Sequence, residues 1–285
     1  MIVGDTPVLL RDKETGNILI KTLDNVTDNE NWVLDKETGM EKKSINYDVW
    51  NDYWIPAESI YRLHTTEDII RLSSMVGSVD VTENHIFGEK RAIDIEKQDL
   101  IMNGKEFPIR NEDTLVGPQE LKIWGLFFAC GNFDNGIWQI KSKVVHPLSN
   151  AYRYLVQKEN ISFDLNPRKG YLSQQDSSSF RTKYQKLFLD PNGVKHIPIE
   201  ILNAGHEDKM SFFNGVYLNG TLVCETKLEN QGLVYVSESL LQHNFFNVEN
   251  QSPVLEIFNL GKTDKYVYNI QTNGNFFAGV GKILV

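Results

Sequence analysis

Cysteine is scarce: Cys130 and Cys224 are the only two in 285 residues. Two thiols cannot build a disulfide framework or a four-thiolate zinc site, so buried free thiols are expected, with a single Cys130–Cys224 bridge left open. Long hydrophobic runs are also missing. No stretch of about 18 apolar residues is available to cross a bilayer, and the N-terminus lacks the basic region and apolar core of a secretory signal. The expectation is a soluble intracellular protein, cytoplasmic or nuclear, with no membrane partner. Positive charge is in short supply, with 29 basic against 38 acidic side chains and a net charge of −9. That is the wrong sign for wrapping DNA by general electrostatics. The glycines form neither a dinucleotide fingerprint nor a phosphate loop. His64, His146, His196, His206 and His243 are dispersed without ligand spacing, so no metal site or cofactor is expected from them. Ser177 to Ser179 reads as a polar loop with no His or acid paired to it, which argues against a serine nucleophile.

Apolar content is ample. With 41% hydrophobic and 11% aromatic residues, the chain can bury a sizeable core in one or two domains. Charge divides it by region. Residues 118–250 carry thirteen basic and thirteen acidic side chains, so the whole net charge of −9 lies in the flanks. Residues 1–105 hold short β-rich runs, at Pro7 to Leu10, Ile18 to Ile20 and Ser78 to Val81. Two Asp-Lys-Glu-Thr-Gly turns, Asp12 to Gly16 and Asp35 to Gly39, read as hairpin signals. Residues 106–117 form a connector with turn residues Pro108 and Gly117. Glu120 to Cys130 has the apolar density of a buried helix that ends at Gly131 as its C-cap. Strand patterns return in residues 251–285, at Val254 to Phe258 and Lys265 to Ile270. The organisation is an all-β domain built from both ends of the chain, with a mixed α/β domain inserted between them.

Within the first segment, Thr82 and His85 form a Thr-x-x-His pair in the run Gly77 to His85. An imidazole held over an amide can donate a proton to its nitrogen, while a hydroxyl and backbone donors steady the developing oxyanion. Met1 to Thr6 reads Met-Ile-Val-Gly-Asp-Thr, and the closing stretch Val267 to Val285 contains Asn269, Gly274 and the run Phe276-Phe277-Ala278-Gly279. Together these blocks resemble inteins of family B DNA polymerases. The resemblance implies a mostly β, horseshoe-like Hedgehog/intein (Hint) domain made of residues 1–105 and 251–285. It places Thr82 and His85 in the splicing block, and it puts Met1 where the family has a Ser or Cys nucleophile. It also puts Asn269 where the family has Asp, Gly274 where it has His, and no terminal His-Asn after Val285. Met has no proton to lose and cannot form the ester. The expectation is that the chain as written does not splice.

The middle segment, 118–250, resembles a LAGLIDADG homing endonuclease of the polymerase-intein type. The first motif is Trp124 to Gly131 with Gly125 as the helix-packing residue, and the second is Phe212 to Gly220. The runs Tyr184 to Phe188 and His196 to Ala204 match the family's spacer. In that family each paired helix brings one acid to a central site where divalent metals activate water. Here Cys130 and Asn219 stand at the acid positions, and neither suits hard Mg²⁺. Asp134, just past the helix end, is not expected to substitute. The resemblance implies an α+β domain that does not cut DNA, with Mg²⁺ relevant only to an intact site.

The implied parent is an autocatalytic splicing element whose partners are the flanking polymerase segments. The alternative is a freestanding intein-derived protein that binds double-stranded DNA, or a structural or interaction protein. The DNA-binding form needs Arg168, Lys169, Arg181, Lys183 and Lys186 gathered on one face.

Overall fold

The computed structural model describes all residues except 106, 107, 109, 111, 113, 191, 192, 194, 219, 220, 223–249 and 282. Alternating apolar residues at the start of the chain form β1 (Ile2–Val3), β2 (Pro7–Asp12), β3 (Ile18–Thr22), β4 (Val33–Leu34) and β5 (Glu41–Trp50). The two repeated turns join β2 to β3 and β4 to β5. In the first, Asp12 Oδ1 accepts from the amides of Glu14 and Thr15 at 2.9 and 2.8 Å, and Gly16 takes φ +72°. In the second, Asp35 Oδ1 accepts from Glu37 N at 2.9 Å and Gly39 takes φ +71°. A side-chain acceptor at the first position and a left-handed glycine at the last are what this turn chemistry requires. The chain continues through β6 (Trp54–Thr65), β7 (Asp68–Ser74), β8 (Gly77–Thr82), β9 (Ile86–Phe87), β10 (Lys90–Arg91) and β11 (Leu100–Met102).

Two compact units result: residues 1–109 with 235–285, and residues 110–234. The second unit holds α1 (Pro118–Cys130), β12 (Gly131–Asp134), β13 (Ile137–Lys141), α2 (Val145–Glu159), β14 (Asp164–Asn166) and β15 (Tyr171–Gln174). It goes on to α3 (Ser178–Phe188), α4 (Ile199–Asn203), α5 (His206–Val216), β16 (Tyr217–Leu218) and β17 (Thr221–Leu222). The first unit then resumes with β18 (Gln251–Lys262), β19 (Lys265–Thr272) and β20 (Val280–Gly281).

Among the described residues the first unit is built on one 12-stranded sheet in the order β11-β18-β7-β8-β1-β19-β6-β5-β2-β3, with β20 on β8 and β4 on β5. Strands from both ends of the sequence alternate in it, which is why neither end segment can form this unit alone. Its core includes Ile2, Leu10, Val49, Ile60, Leu72, Val81 and Ile283, each with 0% exposure. Burying side chains of this size contributes about 1.5–3 kcal/mol apiece before the entropy of ordering them is subtracted.

In the second unit, α1 begins with Pro118 in its first turn, where the missing amide costs nothing. Gly131 does cap the helix, donating to Phe127 O, but with φ −85° in extended backbone and not in the left-handed form usual for a glycine cap. Its lack of a side chain has another cause: a Cβ there would fall 2.1 Å from the Phe127 ring. Ser177, expected in a loop, is the N-cap of α3, its Oγ accepting from Phe180 N at 3.3 Å. The four-stranded sheet runs β12-β13-β15-β14. Around Phe127 gather Trp138, stacked at 5.4 Å and 5°, and Tyr184 and Phe188 at 5.0 and 4.9 Å. The pattern of helix then β-hairpin, α1-β12-β13, recurs as α5-β16-β17. No described helix is long and apolar enough to cross a membrane.

Candidate active site

Strand pairing and the turn that follows β8 bring Met1, Thr82 and His85 together. β1 lies antiparallel to β8 through Ile2 and Val81, and to β19 through Ile2 and Tyr268. Thr82 N donates to Met1 O at 3.0 Å, and His85 N folds back to Thr82 O at 2.9 Å. The result is a convergence on one atom. The Met1 nitrogen lies 3.3 Å from Thr82 Oγ1 and 3.1 Å from His85 Nδ1.

Burial shifts both bases. It lowers the Met1 amine from 8.0 to about 6, against a smaller opposing pull from Glu67. It also lowers His85 from 6.5 to about 3, with the nearby Met1 ammonium pushing the same way. Both groups are therefore neutral at pH 7. His85 Nε2 is buried and meets no partner among the described residues, and the ring packs on Phe87 at 4.8 Å. A proton on Nδ1 points at the amine lone pair. A proton on Nε2 would be a buried donor without an acceptor, a cost of about 1–3 kcal/mol. The geometry favours the Nδ1–H tautomer.

Asn269 follows Tyr268 on β19, one step past the pair Ile2–Tyr268, so the register sets it beside Met1; its side chain is exposed. Gly274 sits exposed in the turn after β19, its N–H donating to Thr272 Oγ1 at 3.2 Å. No described hydrogen bond links it to Met1, Thr82 or His85. A Cβ at Gly274 would meet only Ile55 Cδ1, at 3.5 Å, so the backbone admits a side chain there. Gly279 differs. Its φ is +85° and a Cβ would fall 2.2 Å from Ser78 O, which makes glycine necessary where β20 turns onto β8.

Gly125 and Gly215 face each other's helices. A Cβ on Gly125 would lie 1.8 Å from Phe212 O, and one on Gly215 would lie 1.9 Å from Lys122 O. Cys130, the last residue of α1, is buried. Asn219 and Cys224 lie outside the described residues. Lys195 Nζ donates to the carbonyls of Phe128, at 3.1 Å, and of Gly131, capping the C-terminus of α1. Asp134 lies at the end of β12, its carboxylate 4.0 Å from Lys141 Nζ. A thiol beside carbonyls already holding an ammonium does not fit Mg²⁺, which takes anionic oxygen ligands.

The five basic residues divide between two elements. Arg168 and Lys169 are exposed on the turn between β14 and β15, whereas Arg181, Lys183 and Lys186 are on α3. Lys183 is engaged internally: its ammonium is 3.2 Å from Glu120 and 3.1 Å from Glu159, and Lys158 also pairs with the buried Glu120. Sequence reasoning missed Phe87 and Lys195, which act through contacts across the fold that carry no local signal.

No protein family model matches the chain. It is 26% identical over 354 aligned positions to a DNA polymerase of Acanthamoeba polyphaga mimivirus, an alignment covering 100% of this chain and 20% of the relative. The chain thus spans about a fifth of that polymerase's length. Its structural neighbours are inteins. They include a transcription factor IIB Mvu mini-intein (TM-score 0.40, 9% identity, 100% of this chain and 98% of that one). A second is an intein from a hyperthermophile (0.41, 10%, 99% and 97%). A third is the Pab PolII intein (0.41, 11%, 100% and 99%).

Proposed function

We propose that the chain is an intein-like protein-splicing element of a DNA polymerase, with a Hint fold in residues 1–105 and 251–285 and a LAGLIDADG-derived insert at 118–250 that has lost cleavage. One observation carries the splicing half: two side chains 81 and 84 positions from Met1 meet its nitrogen at 3.3 and 3.1 Å. Where residue 1 is joined to a preceding residue, that atom is the amide nitrogen of the scissile bond. A hydroxyl or thiol on residue 1 attacks the preceding carbonyl, its oxygen or sulfur forms the new ester bond, and the C–N bond breaks. The step is proton-neutral overall: the nucleophile gives up a proton and the nitrogen must gain one, and a neutral His85, with Nδ1 3.1 Å from that nitrogen, is placed to take up the first and, as the imidazolium so formed, to deliver the second. Thr82 Oγ1 holds the same nitrogen in place. General acid help of this kind is worth about 10²–10⁴-fold. Met1 supplies no such nucleophile, so this chain does not take the step with Met at that position.

The test is a repaired precursor: Met1→Ser, His-Asn-Thr appended after Val285, and short flanking peptides, with products read by intact mass. Ligated flanks are the expected result, lost in Thr82→Ala and His85→Ala. A folded precursor that stays unspliced even with Asn269→Asp and Gly274→His would refute the reading. For the insert, the thiol of Cys130 and the Lys195 cap support the absence of metal-dependent cleavage. A specific magnesium-dependent cut of duplex DNA by the purified chain would overturn that half.

A further inference from the structure

We propose that Phe87 is a positioning residue for His85: the short hairpin that carries it holds the imidazole against the Met1 nitrogen and keeps water from the ring's outer edge. This rests on the splicing reading above. The hairpin consists of β9 and β10, with Phe87 opposite Lys90 and Ile86 opposite Arg91. Gly88, at φ +62°, allows the tight turn between them.

The end of the hairpin that follows β10 is stitched back to the turn that contains His85. Ala92 N donates to His85 O at 2.7 Å, and Ile93 N to Glu83 O at 3.1 Å. Lys90 Nζ reaches both oxygens of Asp99 at 2.7 Å, which anchors the hairpin from its far side. Phe87 packs against the core of the first unit, and its ring centroid lies 4.8 Å from that of His85 at 59°.

Imidazole orientation is usually fixed by a hydrogen bond to the second nitrogen. Here Nε2 is buried and meets no partner among the described residues, and the ring is held by its packing on Phe87 at 4.8 Å. The charged groups on the surrounding elements are the Met1 amine, Glu67 before β7, Glu83 in the same turn, Lys90 and Arg91 on the hairpin, and Asp94 beyond it. Of these, only the Met1 ammonium acts on the ring, and it adds to the effect of burial. In a precursor that ammonium is an uncharged amide. Burial against Phe87 is then what keeps His85 neutral and able to carry its proton on Nδ1.

The test is an NMR titration of His85 in the intact chain, compared with Phe87→Leu and Phe87→Ala. The parent and Phe87→Leu are expected to titrate near about 3, while Phe87→Ala climbs toward 6.5. In the repaired precursor, the acid limb of the pH profile for the N-terminal step should move with Phe87→Ala and return with Phe87→Leu. If Phe87→Ala is insoluble, Lys90→Ala loosens the hairpin without touching the ring contact and should move the titration in the same direction. An unchanged His85 titration in the alanine variant, or in Lys90→Ala where that variant stands in, overturns the proposal. A shifted titration in a repaired chain that never splices overturns the splicing reading and leaves the positioning contact standing.

Discussion

Gly125→Ala tests the helix crossing on which the second unit depends. The new Cβ would lie 1.8 Å from Phe212 O, whereas ordinary contact begins near 3.4 Å. The helices α1 and α5 must therefore separate by about 1.6 Å, the difference between those distances. The obstacle is backbone, so no side-chain rotation relieves it. Separation loosens the packing beside it, including the Phe128–Phe212 contact at 6.0 Å. Overpacking of this kind costs about 1–3 kcal/mol or more, against a helix-propensity gain of at most about 1 kcal/mol for replacing glycine by alanine. The net expectation is a loss of about 1–2 kcal/mol. Scanning calorimetry suits the measurement because two units can melt separately. The transition of the second unit should fall by several degrees while that of the first stays in place. Gly215→Ala should behave alike, and the double variant should cost less than the sum, since one opening relieves both clashes. Gly274→Ala, with nothing closer than 3.5 Å, is the neutral control. A second-unit transition that stays put or rises in Gly125→Ala would refute the crossing.

Lys209 is 4% exposed, forms no described ion pair, and burial lowers it to about 8. Lys209→Met should therefore stabilise the chain by about 1–3 kcal/mol at pH 7. Between pH 8 and 10.5 only the unfolded chain still holds that proton, so the parent gains stability as pH rises and the advantage of the variant shrinks. A variant less stable than the parent at pH 7 in urea unfolding would defeat this. His85 gives an acid counterpart. From about 6.5 down to about 3 the unfolded chain binds a proton that the folded one refuses, so stability is lost as pH falls through that window. The slope is at most about 1.4 kcal/mol per pH unit. His85→Gln should flatten the fall in urea midpoint between pH 6.5 and 4.5, and an unchanged slope there would contradict the burial of the ring.

Local chemistry was the legible part of the fold. Asp12 to Gly16 and Asp35 to Gly39 carry their turn geometry in five residues, and Thr82 and His85 share one turn whose spacing is visible in sequence. Gly125 in the first motif and Gly215 in the second announced a close approach of two helices, and each meets the other helix's backbone. Contacts set by distant elements were hidden. Gly131 reads as a left-handed cap because helices commonly end that way, yet the Phe127 ring beneath it dictates glycine in an extended conformation. The hydrogen bonds of Lys195 to the end of α1 span more than sixty positions. The placement of Phe87 over His85 depends on a two-strand hairpin too short for any periodicity to reveal.

How the insert joins the sheet leads to a last prediction. Asn103 N donates to Asn250 O at 3.0 Å, and Met102 pairs with Gln251 at the start of the antiparallel ladder between β11 and β18. The two points where the insert leaves and re-enters the first unit are thus hairpin neighbours, close enough for a turn of a few residues to bridge. Before the exit, Lys105 N donates to Asp52 Oδ1 at 2.7 Å, and Gly104 lies where a Cβ would fall 1.9 Å from the Phe277 ring. Both residues should be kept. Replacing 106–249 by a short Asn-Gly-containing turn should leave a chain that unfolds cooperatively and keeps Met1 against Thr82 and His85, because all three are positioned by β1, β8 and β19 within the retained segments. The check is a single calorimetric transition together with a His85 NMR titration matching that of the full chain. A soluble product with no cooperative transition would mean that the sheet needs the insert to bring its two halves together, and that the pairing of the chain ends is not sufficient for the site.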